Sequence, residues 1–139
     1  MFRLTSSVYR KLVFVSLFIA ASFAANASDT STQTKLKENL LGEWNVALYF
    51  SPSNPPLSTT MNISKINDDG TLEGTFYQTA FETARYTFID DSLIFVIVTA
   101  DNSGSYSTSG RLDLNGNIDG QTLSTGRNFL MAWKATKSK

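Results

Sequence analysis

Few residues in this 139-residue chain are equipped for covalent or acid–base chemistry. Histidine and cysteine are both absent. Their absence excludes an imidazole base, a Ser-His-Asp triad, a thiol nucleophile, zinc-ribbon or iron–sulfur ligation, and disulfides. The conspicuous carboxylates are Asp68-Asp69, Asp90-Asp91 and Asp101, all beside turn residues, where aspartate is favoured for bonding its own backbone. Asp68-Asp69-Gly70 lacks the alternating spacing of a calcium loop. Ser109-Gly110 and Ser124-Thr125-Gly126 are not nucleophile elbows, and neither Lys65 nor Lys134 has a serine at a recognised spacing. These residues predict no enzyme, no cofactor and no metal.

What remains is shape and aromatic lining, so the elements that position the aromatic residues matter most. After Gly42 the chain is rich in Val, Ile, Thr, Tyr and Phe, with turn residues at close to the spacing of an all-β sandwich or barrel. Eight strands are predicted, at about 43–50, 58–66, 71–79, 82–89, 92–100, 105–114, 117–124 and 127–136. Asn115-Gly116 is the best type I′ hairpin signal. Leu36, Leu40 and Leu41 before Gly42 fit a helical turn or two that ends on glycine. Tight loops favour an antiparallel up-and-down meander, and closing it into an eight-stranded barrel removes both exposed edges. Such a barrel is just wide enough to be filled by side chains or to hold one small ligand. A two-sheet sandwich also fits the pattern.

Residues 1–27 read as a secretory signal: Arg3, Arg10 and Lys11, then an apolar run from Leu12, then Ala25-Asn26-Ala27. The run from Leu12 to Ala25 is 14 residues, short of the roughly 20 a membrane span requires. Cleavage after Ala27 would leave 112 residues, with nine basic residues against twelve acidic ones and a net charge of −3. That balance offers nothing to nucleic acid, and a periplasmic or secreted location with no membrane span follows as the expectation. The chain then divides into the signal (1–27), a polar flexible segment with a helical turn (28–41) and a β domain (42–139).

Leu40-Leu41-Gly42-Glu43-Trp44, a helical turn followed by Gly-x-Trp at the start of the first strand, resembles the opening of the calycin barrels. These are the lipocalins, fatty-acid-binding proteins and avidins. The resemblance implies that Gly42 and Trp44 close one end of the barrel. It also implies that a basic residue of the last strand, Arg127 or Lys134, packs over the tryptophan. The chain is shorter than a typical lipocalin, lacks the helix after the barrel and has no central Thr-Asp-Tyr. Gly74-Thr75-Phe76-Tyr77 resembles an avidin strand, but the avidin ending is missing, and no biotin contact is carried over.

The expected function is non-covalent binding of a small apolar or amphipathic molecule. Tyr49, Phe50, Phe76, Phe95, Tyr106 and Trp133 are the expected ligand contacts. Arg85 joins them if Tyr86 and Phe88 face outward; otherwise it pairs outside with Glu82 or Asp101. The alternative is a protein-binding module, such as a periplasmic protease inhibitor that inserts residues 28–35. Leu93 to Val98 is apolar on both faces, so its outer face needs cover from residues 36–41, a membrane or a homodimer partner through strands four to six.

Overall fold

The computed structural model describes residues 29–139, and the predicted signal sequence lies outside that range. Two compact units divide the chain, Met1–Thr32 and Gln33–Lys139. In the first, the described residues 29–32 are helical. The second begins with the rest of helix α1 (29–40 in all) and continues as strands. The helix extends further toward the N-terminus than the leucine spacing alone implied.

Nine strands follow: β1 (Gly42–Tyr49), β2 (Leu57–Ile66), β3 (Leu72–Phe76), β4 (Thr79–Ala80), β5 (Thr83–Ile89), β6 (Ser92–Asp101), β7 (Gly104–Leu112), β8 (Ile118–Ser124) and β9 (Phe129–Lys137). They form one antiparallel sheet in the order β4-β3-β2-β1-β9-β8-β7-β6-β5. Every pairing joins chain neighbours except β1 with β9, where the last strand returns to the first. The alternation seen in the sequence holds along β1, where Trp44, Val46 and Leu48 are buried and Glu43, Asn45 and Tyr49 are not. It recurs in Leu93, Phe95 and Ile97 of β6 and in Met131, Trp133 and Ala135 of β9. Rings from distant strands meet inside: Phe76 and Phe95 lie 5.5 and 6.3 Å from Trp133. One face of the whole sheet therefore curls around a single interior.

Two features depart from the eight-stranded closed barrel. The expected third strand breaks at Tyr77-Gln78, both in the left-handed region (φ 52° and 63°), and returns as the two-residue β4. Neither residue is a usual former of that conformation, so the turn left no mark in the sequence. The ladder also stays open, with β4 and β5 as its two edges. An isolated bridge between Thr71 and Arg85 and the Tyr86 N–H to Gly70 carbonyl bond (2.9 Å) are what join β5 to the start of β3. With β4 so short and β3 only five residues long, little backbone is left to pair with β5. A smaller correction concerns Asn115-Gly116, where only the glycine has positive φ (81°). Asp113 accepts from the amides of Asn115 and Asn117, both at 2.9 Å, in a wider turn than type I′.

Candidate functional site

The two ends of the rolled sheet are built differently. At one end, Leu36 and Leu40 of α1 are fully buried in the core beside Trp44. The helix must find partners for its last carbonyls. The Trp44 indole N–H donates to Leu40 O at 2.9 Å. The Lys137 ammonium donates to Asn39 O (2.7 Å) and to Leu41 O, and lies 4.6 Å from the centre of the Trp44 ring. A cation at a helix C-terminus and over an indole face is favourable on both counts. Partial burial lowers the Lys137 pKa from the usual lysine value. Gly42 supplies the left-handed residue (φ 102°) that ends the helix and starts β1. On the other flank, Lys37 pairs with Asp68 at 3.0 Å and sits 5.6 Å from the Tyr86 ring. Those contacts raise the Lys37 pKa, the Asp68 bond most of all.

The basic residue over Trp44 is thus Lys137, not Arg127 or Lys134. Lys134 faces outward and lies 3.6 Å from Asp119. Arg127 is at the opposite end, where its backbone N–H donates to Ser124 Oγ at 3.3 Å. The register explains the choice. Strand β9 runs antiparallel to β1, so Trp44 at the start of β1 faces Lys137 at the end of β9.

The middle of the interior is full. Trp133 and Phe95 are each 1 % exposed. They fit because Gly120 and Gly110 lie beneath them. A Cβ on Gly120 would come within 2.1 Å of the Trp133 ring, and one on Gly110 within 2.4 Å of the Phe95 ring. The Trp133 indole N–H is buried and has no acceptor among the described residues.

At the other end a pocket of about 230 Å³ opens. Leu48, Phe50, Phe76, Phe129 and Met131 form its apolar wall. Thr99, Thr108 and Thr122 add hydroxyls, with Thr108 and Thr122 hydrogen-bonded at 2.9 Å. Asp101, Tyr106 and Arg127 line the mouth. There the Tyr106 hydroxyl lies 2.7 Å from Ser103 Oγ and donates to Asp101 at 3.2 Å. The Ser103 hydroxyl and amide hold the Asp101 carboxyl below the usual aspartate range; desolvation opposes them, and Tyr106 and the Arg127 charge add smaller lowering contributions.

Of the expected contacts, Phe50, Phe76 and Tyr106 line this pocket. Phe95 and Trp133 belong to the packed layer. Tyr49 points outward from β1 and is 38 % exposed. Arg85 also faces outward, since Tyr86 and Phe88 are the half-buried residues of β5. Its guanidinium donates to Asp69 O at 3.1 Å, so neither Glu82 nor Asp101 is its partner. Phe129, Met131 and the three threonines were missed as pocket residues. Their inward parity was legible, but which end of the strand stays open was not.

At the mouth the Ser103 hydroxyl donates to the Asp101 carboxylate two residues earlier, a local turn contact. Asp69 accepts from the Thr71 hydroxyl and amide (2.6 and 3.0 Å) and so holds its own turn. Lys65 is bonded to Glu73 at 3.1 Å. Among the described residues there is no group of three or more Asp or Glu placed to hold a metal ion, and no helix is long and apolar enough to cross a membrane. On the outer face of β6, Val96 is 43 % exposed, while Leu36 and Leu40 are buried inside. Residues 36–41 therefore do not provide the expected cover. Residues 29–35, which an inhibitor would insert as a tail, are helical. A search of protein-family models and of curated proteins finds no match to this chain.

Proposed function

We propose that this chain is a calycin-like carrier that binds a small apolar or amphipathic molecule in the pocket at the open end of the sheet. The observation that carries the reading is the contrast in the interior, sealed at one end and packed in the middle, yet hollow where Phe50, Phe76, Phe129 and Met131 meet. Lys137 over Trp44, with the helix just before Gly42, supports the calycin resemblance. The pocket, about 230 Å³, exceeds the ~150 Å³ of an apolar cavity that takes up benzene. It is below the ~300–1,000 Å³ of most drug-sized sites. The ligand is accordingly short, or enters by one end only. Its apolar part meets the phenylalanines and its polar end reaches the Tyr106–Asp101–Arg127 mouth. Export from the cytoplasm and action without a catalytic step belong to the same reading.

Native mass spectrometry of the protein purified from its own host tests this. The expected spectrum contains a non-covalent adduct that is lost when Thr108→Phe fills the pocket. An adduct that survives in a folded Thr108→Phe protein would place the ligand elsewhere.

A further inference from the structure

The pocket has two unlike walls, and the sheet order keeps them apart. Phe76 of β3, Leu48 of β1, Phe50 just beyond it, and Phe129 and Met131 of β9 form the apolar wall. Thr122 of β8, Thr108 and Tyr106 of β7, and Thr99 of β6 form the other. In the sheet, β3, β2, β1 and β9 are followed by β8, β7 and β6, so each wall is one continuous arc. Thr99, Thr108 and Thr122 lie deep, at 5, 1 and 1 % exposure. The Tyr106 hydroxyl is engaged at the mouth with Ser103 and Asp101. Deeper in, hydrogen-bonding capacity is left over. Thr108 and Thr122 share one bond between two hydroxyls, so one O–H of the pair has no partner among the described residues. The Thr99 hydroxyl bonds none of them either. Asp101 and Arg127, the charged lining residues, are both at the mouth.

We infer that the ligand is a flat, uncharged two-ring molecule with a carbonyl group on one edge, and that this edge faces the threonines. The inference rests on the carrier reading above and names the ligand class for the same pocket. A plain alkyl chain would cover the hydroxyls without bonding them, which is unfavourable for each group so buried. A carbonyl oxygen has two lone pairs and accepts from the Thr99 O–H, from the spare O–H of the threonine pair, or from both. Thr99 pairs with Tyr106 and Thr108 with Ile97, so Thr99 and Thr108 are diagonal neighbours within reach of one ligand edge. A charge at this depth would have no counter-charge beside it, so the edge is neutral. Size sets the number of rings: a cavity of ~150 Å³ holds benzene, and about 230 Å³ leaves room for a second, fused ring. The phenylalanines of the opposite wall offer ring faces and edges to pack against it.

Coumarin and naphthalene share a two-ring outline, but only coumarin carries an edge carbonyl. Dissociation constants for both are read from amide NMR titrations, at Phe76 and Met131, of the full chain and of two variants. Thr108→Val/Thr122→Val removes both partners of one hydrogen bond while keeping their shape, a change that is nearly neutral for folding. Thr99→Val removes a hydroxyl that bonds nothing among the described residues, and it carries the test alone if the double variant does not fold. Coumarin should bind about tenfold more weakly to the double variant and about threefold more weakly to Thr99→Val, the loss expected for a net hydrogen bond. Naphthalene should bind both variants at least as tightly as the parent. Coumarin affinities that do not change, or naphthalene affinities that fall as far, would overturn the inference. If decanoate binds and neither ring does, the inference fails and the carrier reading stands. If none of the three binds, both fail.

Discussion

The helix-capped end and the open end use similar residues to opposite effect. At the capped end an indole and an ammonium group satisfy the last carbonyls of α1, while Leu36 and Leu40 pack in the core where Trp44 is only 1 % exposed. At the open end Phe50 and Phe129 are in ring contact, yet Phe50 remains 54 % exposed beside a hollow. Aromatic residues stabilise where other elements cover them, and become a binding surface where nothing does. The capped end therefore carries stability, and the open end is the proposed binding site.

Mutations that separate the two roles should differ widely in effect. Trp44→Ala removes a fully buried side chain and the partner of both Leu40 O and Lys137, and should cost about 3–5 kcal/mol by chemical denaturation. Lys137→Met keeps most of the packing but loses the helix-end and ring interactions, for about 1 kcal/mol after allowance for solvent exposure. Phe50→Ala should change stability by less than about 0.5 kcal/mol, as exposed substitutions do. If Phe50→Ala proves as destabilising as Lys137→Met, the division of roles fails.

The smallest expected effect is that of pH. Asp69, Glu73, Asp101 and Asp113 all have pKa values below their ordinary ones, mainly through hydrogen bonds from Thr71, Asn67, Ser103 and Asn117 respectively. A lowered carboxylate stabilises the fold above its unfolded pKa and loses that contribution as pH falls through the folded value. Thermal midpoints should therefore decline below about pH 4. They should be flat between about pH 5 and 9, where a chain without histidine or cysteine has no side chain with an ordinary pKa. On the alkaline side, Lys37 is raised, so its contribution is present below 10.5 and is lost as pH rises through the folded value. A midpoint that moves sharply near neutrality would contradict this account.

Much of the architecture was legible in the sequence because strand alternation is a local signal. Trp44, Leu93, Phe95 and Trp133 all face inward as their parity requires. The features missed depend on relations between distant segments. Lys137 could have been found by pairing the antiparallel first and last strands end to end, whereas Arg127 has the right parity at the wrong end. The Tyr77-Gln78 turn lacks glycine, asparagine and aspartate, so nothing local marked it. Arg85 was undecidable from the predicted strand 82–89 alone, because Tyr86 and Phe88 are as acceptable on either face. The size of the pocket depends on Gly110 and Gly120 letting two rings fill the middle, and neither glycine signals that alone.

The most direct test of the account is an amide NMR titration of the protein with decanoate, used as a small amphipathic probe. The account predicts saturable shifts confined to Phe76, Tyr77, Thr99, Asp101, Tyr106, Phe129 and Met131, with residues 33–40, Trp44 and Lys137 unmoved. Shifts centred on the helix-capped end, or none at the open end up to the solubility of the probe, would contradict it.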